Sequence, residues 1–139
     1  MTKDVLVHIK SVQDNMDGEV IEVVVPGTYY WKEGKHYVFY EEYQEGFAEA
    51  SKCQLRVQGD SCLEIIKKGL SNTHMRLDKQ RTTSATYATP FGQFSMEIQT
   101  KRLTLEEAEN EIFVNVEYQM DADGSPIAKN EMKIWIQSK

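Results

Sequence analysis

The sequence predicts an all-β fold, an antiparallel up-and-down β-barrel, on three observations. Apolar and polar residues alternate with a period of two through about ten short runs, each closed by Gly, Pro, Asn or Asp. A strand sends successive side chains to opposite faces, so this rhythm describes sheet with one buried face. The connections are also short, which favours antiparallel pairing of sequence neighbours, because parallel pairs need crossovers of a dozen residues or more. Finally, about ten strands in one sheet would coil, and closure removes the exposed edges. A two-sheet sandwich is the second architecture compatible with the pattern.

Taken in order, Val5 to Ser11 alternates, and a turn-rich loop runs from Gln13 to Gly18. Glu19 to Val25 reads as a strand stopped by Pro26-Gly27. Thr28 to Lys32 and Lys35 to Gln44 flank Glu33-Gly34, a tight hairpin, with a loop over Glu45 to Glu49. Ala50 to Gln58 and Ser61 to Lys67 form the next hairpin around Gly59-Asp60, a two-residue turn that sets Gln58 opposite Ser61 and Val57 opposite Cys62. Leu70 to Asp78 follows, then Arg81 to Thr89, whose Thr, Ser and Tyr content suits a strand.

Pro90-Phe91-Gly92 turns the chain into a strand with Phe94, Met96 and Ile98 on one face, continuing to Leu103. Thr104 and Glu107 have capping-box spacing, which predicts one helical turn over Thr104 to Asn110. Ile112, Val114, Val116, Tyr118 and Met120 share a face, Asp121 to Gly124 is a turn, and Ala128, Asn130, Met132, Ile134 and Ile136 line the last strand.

The chain of 139 residues suits one domain, 1–139. Its start carries an acid and bases and no apolar h-region, so no signal peptide is expected. No apolar stretch approaches the roughly 20 residues of a membrane helix, and the expected compartment is the cytoplasm. The net charge of −6 argues against general nucleic-acid binding. That charge is uneven: Glu64 to Arg102 holds seven bases against three acids, which marks either a solvated mixed surface or an anion-binding or partner-binding face. Cys53 and Cys62 come out roughly 13 Å apart at about 3.3 Å per residue, too far for a disulfide, and Cys53 shares the apolar phase of Leu55 and Val57.

A resemblance rests on Tyr37-x-x-Tyr40-x-Glu42, Gly69, Arg76-Leu77, Tyr87-x-Thr89-Pro90-Phe91-Gly92, Thr100-Lys101, Tyr118-x-Met120 and Asn130-x-Met132. Through these residues nearly the whole chain resembles the YwiB-like family, uncharacterised β-barrel proteins of Gram-positive bacteria with a calycin (lipocalin-like) fold. The resemblance implies a fold and transfers no catalytic residue, reaction or ligand.

The candidate chemistry is sparse. His8, His36 and His74 have no ligand spacing, Asp121-Ala122-Asp123-Gly124 lacks carboxylates at the first and twelfth positions of a calcium loop, and no nucleophile-elbow, P-loop or dinucleotide motif occurs. No enzyme activity, metal or cofactor is therefore expected. The aromatic hairpin is more suggestive: Tyr29, Trp31, His36, Val38, Tyr40 and Glu42 share a face that is either packing or one wall of a ligand cavity. Asn130 in an apolar phase is a second clue, and Arg76 is a candidate partner for Glu42, although the phase of Met75 and Leu77 turns Arg76 outward.

The expected function is non-enzymatic binding of a small molecule at the barrel mouth or interior. Its candidate residues are Tyr29, Trp31, Tyr40, Glu42, Arg76, Tyr87, Tyr118 and Asn130. The alternative is a structural or interaction module with a filled barrel, using Phe39, Tyr43 or Trp135 at a homodimer or partner surface. The Pro90-Phe91-Gly92 turn reads as structural, so Gly92→Val is expected to cost more than about 1 kcal/mol through backbone strain, measured by chemical denaturation. An unchanged melting temperature with loss of binding would instead place the turn in the functional site.

Overall fold

The computed structural model describes residues 1–13, 19–43, 49–69 and 71–139. The expected loops at Gln13 to Gly18 and Glu45 to Glu49, with the aromatic Phe47, fall largely outside them. Ten strands follow one another: β1 Asp4–Gln13, β2 Glu19–Lys32, β3 Lys35–Glu42, β4 Ser51–Gln58, β5 Cys62–Lys68, β6 Asn72–Asp78, β7 Thr83–Thr89, β8 Gly92–Glu107, β9 Glu111–Ala122 and β10 Ser125–Ser138. Each pairs antiparallel with its sequence neighbour, and β1 closes on β10, which makes an up-and-down barrel. Among the described residues no helix is long and apolar enough to cross a membrane.

The inward phase supplies the core. Val5, Val7 and Ile9 of β1 face Ile136 and Ile134 of β10, and Val38, Leu55, Leu63 and Leu77 continue the lining through β3 to β6. Leu55, Leu63, Leu77, Ile98, Ile134 and Ile136 are fully buried. Removing such side chains from water is the main driving force for closure, at about 25 cal/mol per Å² of apolar surface.

Three expectations are corrected by the ladders. Pro26-Gly27 does not end a strand: β2 runs through it, pairing with β1 up to Thr28 and with β3 only from Gly27 onward. Pro26 thus has a neighbour on one side only, where a missing N–H is tolerated. Gly27 is needed for close packing, since a Cβ there would meet Val7 Cγ2 at 2.8 Å and the Phe39 carbonyl oxygen at 2.9 Å.

The β4–β5 turn contains three residues, so Gln58 faces Cys62 and Val57 faces Leu63. This one-residue slip from the expected register sends Leu63, Ile65 and Lys67 inward in place of Cys62, Glu64 and Ile66. Both cysteines are free and buried.

The helical turn at Thr104 to Asn110 is absent, because β8 continues to Glu107 against β9. Between Thr100 and Arg102 the register shifts, and this bulge at Lys101 changes the inward phase from Ile98 and Thr100 to Leu103, Leu105 and Glu107. The Glu33-Gly34 hairpin is present as expected, with φ of 54° and 77° at its two turn residues. Gly92 has φ of 134°, a conformation other residues rarely adopt.

Gly27→Ala should lower stability by about 1 to 3 kcal/mol through overpacking against backbone. Gly27 has no positive φ, unlike Gly92, so the loss would be steric. Urea melts of the two variants check this, and a Gly27→Ala protein as stable as the parent would remove the close-approach argument.

Candidate functional site

The barrel ends differ. One, the long-loop mouth, is formed by the strand ends where β1 leads to β2, β3 to β4, β5 to β6, β7 to β8 and β9 to β10, the first two of these separated by the longest stretches of sequence; the opposite end has 33–34, 59–61, 79–82, 108–110 and both termini. Polar interior residues gather at these two ends, with the apolar core between them.

At the long-loop mouth, an unbroken inward row runs around the wall through Tyr40, Cys53, Lys67, Thr73, Tyr87 and Phe94. Glu42, two residues further along β3, pairs with Lys67 at 2.7 Å. Burial raises the Tyr40 hydroxyl well above its ordinary pKa, with Cys53 and Glu42 beside it adding to the effect. The Cys53 thiol is likewise pushed up to about 11, by burial first and then by the Glu42 carboxylate. It is an inert core thiol.

A second inward row at this mouth contains Thr100, Tyr118, Asn130 and Gln13. Burial, and then the nearby Tyr87, raises the Tyr118 hydroxyl, which places the two tyrosines in one neighbourhood. Thr100 Oγ1 and Asn130 Nδ2 are buried with no hydrogen-bond partner among the described residues. Arg56 Nε, Arg76 Nε and Asn115 Oδ1 share that condition, but those residues occupy the outward phase. Thr100 and Asn130 are the two that face the interior.

The opposite end holds a different cluster. His36 is buried, with Nδ1 2.7 Å from the Tyr29 hydroxyl and Nε2 against the Glu107 carboxylate. A carboxylate only accepts, so Nε2–H donates to Glu107, and Nδ1 is the hydrogen-bond partner of the Tyr29 hydroxyl. The Trp31 ring meets the imidazole edge-on at 4.7 Å between centroids. Burial, then Glu107, raises the Tyr29 hydroxyl, the reverse of what a nucleophile requires.

The eight expected site residues are therefore divided. Tyr40, Glu42, Tyr87, Tyr118 and Asn130 come to the long-loop mouth, Tyr29 and Trp31 go to the opposite end, and Arg76 stands on the outer wall beside Glu64 and Asp78. The partner of Glu42 is Lys67, which the slipped hairpin register concealed. Thr100, in phase with Ile98, was legible as an inward hydroxyl; Glu107 was hidden by the bulge. One concavity of about 400 Å³ is lined by outward residues such as Arg76 and Thr86, whereas those of about 430 and 700 Å³ combine outward residues with Lys67 and Tyr87 or Tyr40 and Cys53 of the mouth row. Among the described residues no group of three or more His, Cys, Asp or Glu side chains converges as metal ligands would.

The Cys53 shift has a pH consequence. A thiol with a raised folded pKa contributes stability that is complete below its unfolded value and is lost as pH rises. Between pH 9 and 11, Cys53 should therefore cost the fold up to about 2 to 3 kcal/mol, a loss that Cys53→Ala removes. Denaturation midpoints at pH 7.5 and 10.5 test this; an equal alkaline loss in both proteins would contradict it. His36→Ala should cost about 1 to 3 kcal/mol at neutral pH by stranding Tyr29 and Glu107, checked by urea melts.

Comparison with known proteins places this geometry in a lineage. The chain is 29% identical over 118 residues to the uncharacterized beta-barrel protein YwiB of Bacillus subtilis (strain 168), covering 84% of this chain and 80% of that protein. The crystal structure of the YwiB protein from Bacillus subtilis superposes with a TM-score of 0.83 at 24% identity, covering 99% of this chain and 92% of the other, a likeness of fold. Residues 7–134 match the family model described as Domain of unknown function (DUF1934). A match over that span of a barrel whose ladders run from β1 to β10 settles the assignment: the chain belongs to the DUF1934 family.

Proposed function

We propose that the protein binds a small polar molecule at the long-loop mouth and performs no chemistry on it. The observation that carries this reading is the pair of interior groups without a partner among the described residues, Thr100 Oγ1 and Asn130 Nδ2, on either side of Tyr118. A buried donor or acceptor without a partner costs about 1 to 3 kcal/mol, and interior polar groups are normally satisfied. A ligand offering an acceptor to the Asn130 amide and a polar atom to the Thr100 hydroxyl would remove that cost. The tyrosines of the two rows supply aromatic walls, and the Glu42–Lys67 pair supplies charge at the rim. The lipocalin-like character of such a mouth-binding barrel belongs to the same proposal. Against catalysis, the titratable groups at this mouth are held in their neutral forms or in an ion pair, and none is an activated base or nucleophile.

A second reading has its own observation. Phe39, Tyr43 and Trp135 are exposed on the outer wall at 40%, 72% and 38%, as an interaction module with a filled barrel would have them. The Trp135 indole N–H donates to Glu111 at 3.2 Å and the Tyr43 hydroxyl to Glu41 at 3.2 Å, which leaves their ring faces as the exposed surface.

Native mass spectrometry of protein purified from its own host distinguishes the two. The ligand reading predicts a discrete extra mass that leaves on unfolding and is missing from the Thr100→Val/Asn130→Leu double variant. That variant, freed of two unsatisfied groups, should be as stable as the ligand-free parent or up to about 1 kcal/mol more so. Absence of any extra mass, with a monodisperse dimer in solution, would transfer support to the interaction module.

A further inference from the structure

Two bases of the stretch Glu64 to Arg102, Arg76 of β6 and Arg81 of the turn after it, stand on the outer wall away from the mouth just described. A concavity of about 400 Å³ there contains Glu64, His74, Arg76 and Arg81, with the hydroxyls of Thr82, Ser84 and Thr86 along one side. Two guanidinium groups are thus brought together on a chain of net charge −6.

Three carboxylates border the cluster, Glu64, Asp78 and, opposite Ser84 on β8, Glu97, and the first two hold its cations in place. Asp78 accepts from Arg81 Nε at 3.1 Å and lies 3.9 Å from an Arg76 Nη2. Glu64 accepts from His74 Nε2 at 3.0 Å and faces Arg76 across the β5–β6 ladder. Binding Arg81 through Nε leaves its two terminal nitrogens with donors to spare. The Thr82, Ser84 and Thr86 side chains are exposed and make no hydrogen bond within the protein among the described residues. Thr83, between them, is turned back onto the Arg76 carbonyl, so the neighbouring hydroxyls are presented on a fixed strand.

We propose that this groove binds a phosphate-class oxyanion, free or as the phosphate group of a small molecule. A tetrahedral oxyanion accepts from several directions, which two guanidinium groups and a line of hydroxyls supply together, whereas a planar carboxylate would use only the Arg pair. Positioning Arg76 and Arg81 with carboxylates before the ligand arrives reduces the ordering cost of binding. The site is separate from the interior mouth, and its success or failure does not depend on any ligand there.

The test uses the full chain in thermal melts and isothermal titration with inorganic phosphate, pyrophosphate and glycerol phosphate, against acetate and against chloride at matched ionic strength. Phosphate-class ligands at ten times their Kd should raise Tm by about 3 to 6 °C, with chloride and acetate giving less than about a third of that. Arg76→Gln and Arg81→Gln should each weaken binding about tenfold, as expected for loss of one charge-assisted contact. Ser84→Ala, which removes only an exposed hydroxyl, should weaken it about threefold with unchanged ligand-free Tm. Glycerol phosphate binding as tightly as inorganic phosphate identifies the phosphate group itself as the recognised element. Equal shifts with chloride, or full binding by natively folded Arg76→Gln and Ser84→Ala proteins, would overturn the proposal. Binding of a ten-residue oligothymidylate much more tightly than pyrophosphate would overturn it too, in favour of an extended phosphodiester partner.

Discussion

The closing ladder between β1 and β10 is the interaction on which the rest of the structure depends. Once the sheet is closed, each strand has one face sealed from water, and all ten must agree on which face that is. Nine residue pairs from Val5↔Ser138 to Gln13↔Asn130 fix that agreement between the chain's ends. They bring Val5, Val7 and Ile9 over Ile134 and Ile136, all buried. The closure also sets Gln13 beside Asn130, which extends the polar row of the mouth from β8 to β1.

Agreement of phase is not carried by alternation alone. Along β8 the inward set is even-numbered as far as Thr100 and odd-numbered from Leu103, and the bulge at Lys101 makes the exchange. Without it Leu103 and Leu105 would face water, and Glu107 could not reach His36 across the barrel. One extra residue in one strand thus serves both the core and the Tyr29–His36–Glu107 cluster at the end with shorter connections. Tyr29, His36 and Glu107 satisfy one another, whereas among the described residues two interior groups at the long-loop mouth have no partner. This asymmetry, more than the fold, directs attention to the mouth.

The sequence made the barrel legible because its clearest strands obey a period of two over long stretches, as Ile112 to Met120 and Ala128 to Ile136 do. What it concealed were single-residue events. A turn of two residues and a turn of three both fit Gly59-Asp60-Ser61, and choosing the shorter one hid Lys67, the ion partner of Glu42. Thr104 and Glu107 fit a helix cap by spacing, but the ladder to Asn115 and Ile112 outweighs so short a helix. Pro26-Gly27 is ordinary turn chemistry, overridden because β2 exchanges one neighbour for another at that point. Tyr40, Glu42, Tyr87, Tyr118 and Asn130 were legible by phase as interior candidates; Tyr29 and Trp31 share that phase but lie toward the other end of the barrel, a distinction periodicity does not contain.

Membership of the DUF1934 family, with a TM-score of 0.83 to the Bacillus subtilis barrel, supplies the scaffold and leaves the purpose of the mouth to its chemistry. The most direct measurement is a high-resolution crystal structure of the protein isolated from its own host. The account predicts ordered non-protein density within about 3.2 Å of both Thr100 Oγ1 and Asn130 Nδ2, beneath Tyr118 and Tyr87. A dry, close-packed interior with those two atoms bonded to protein groups would contradict it.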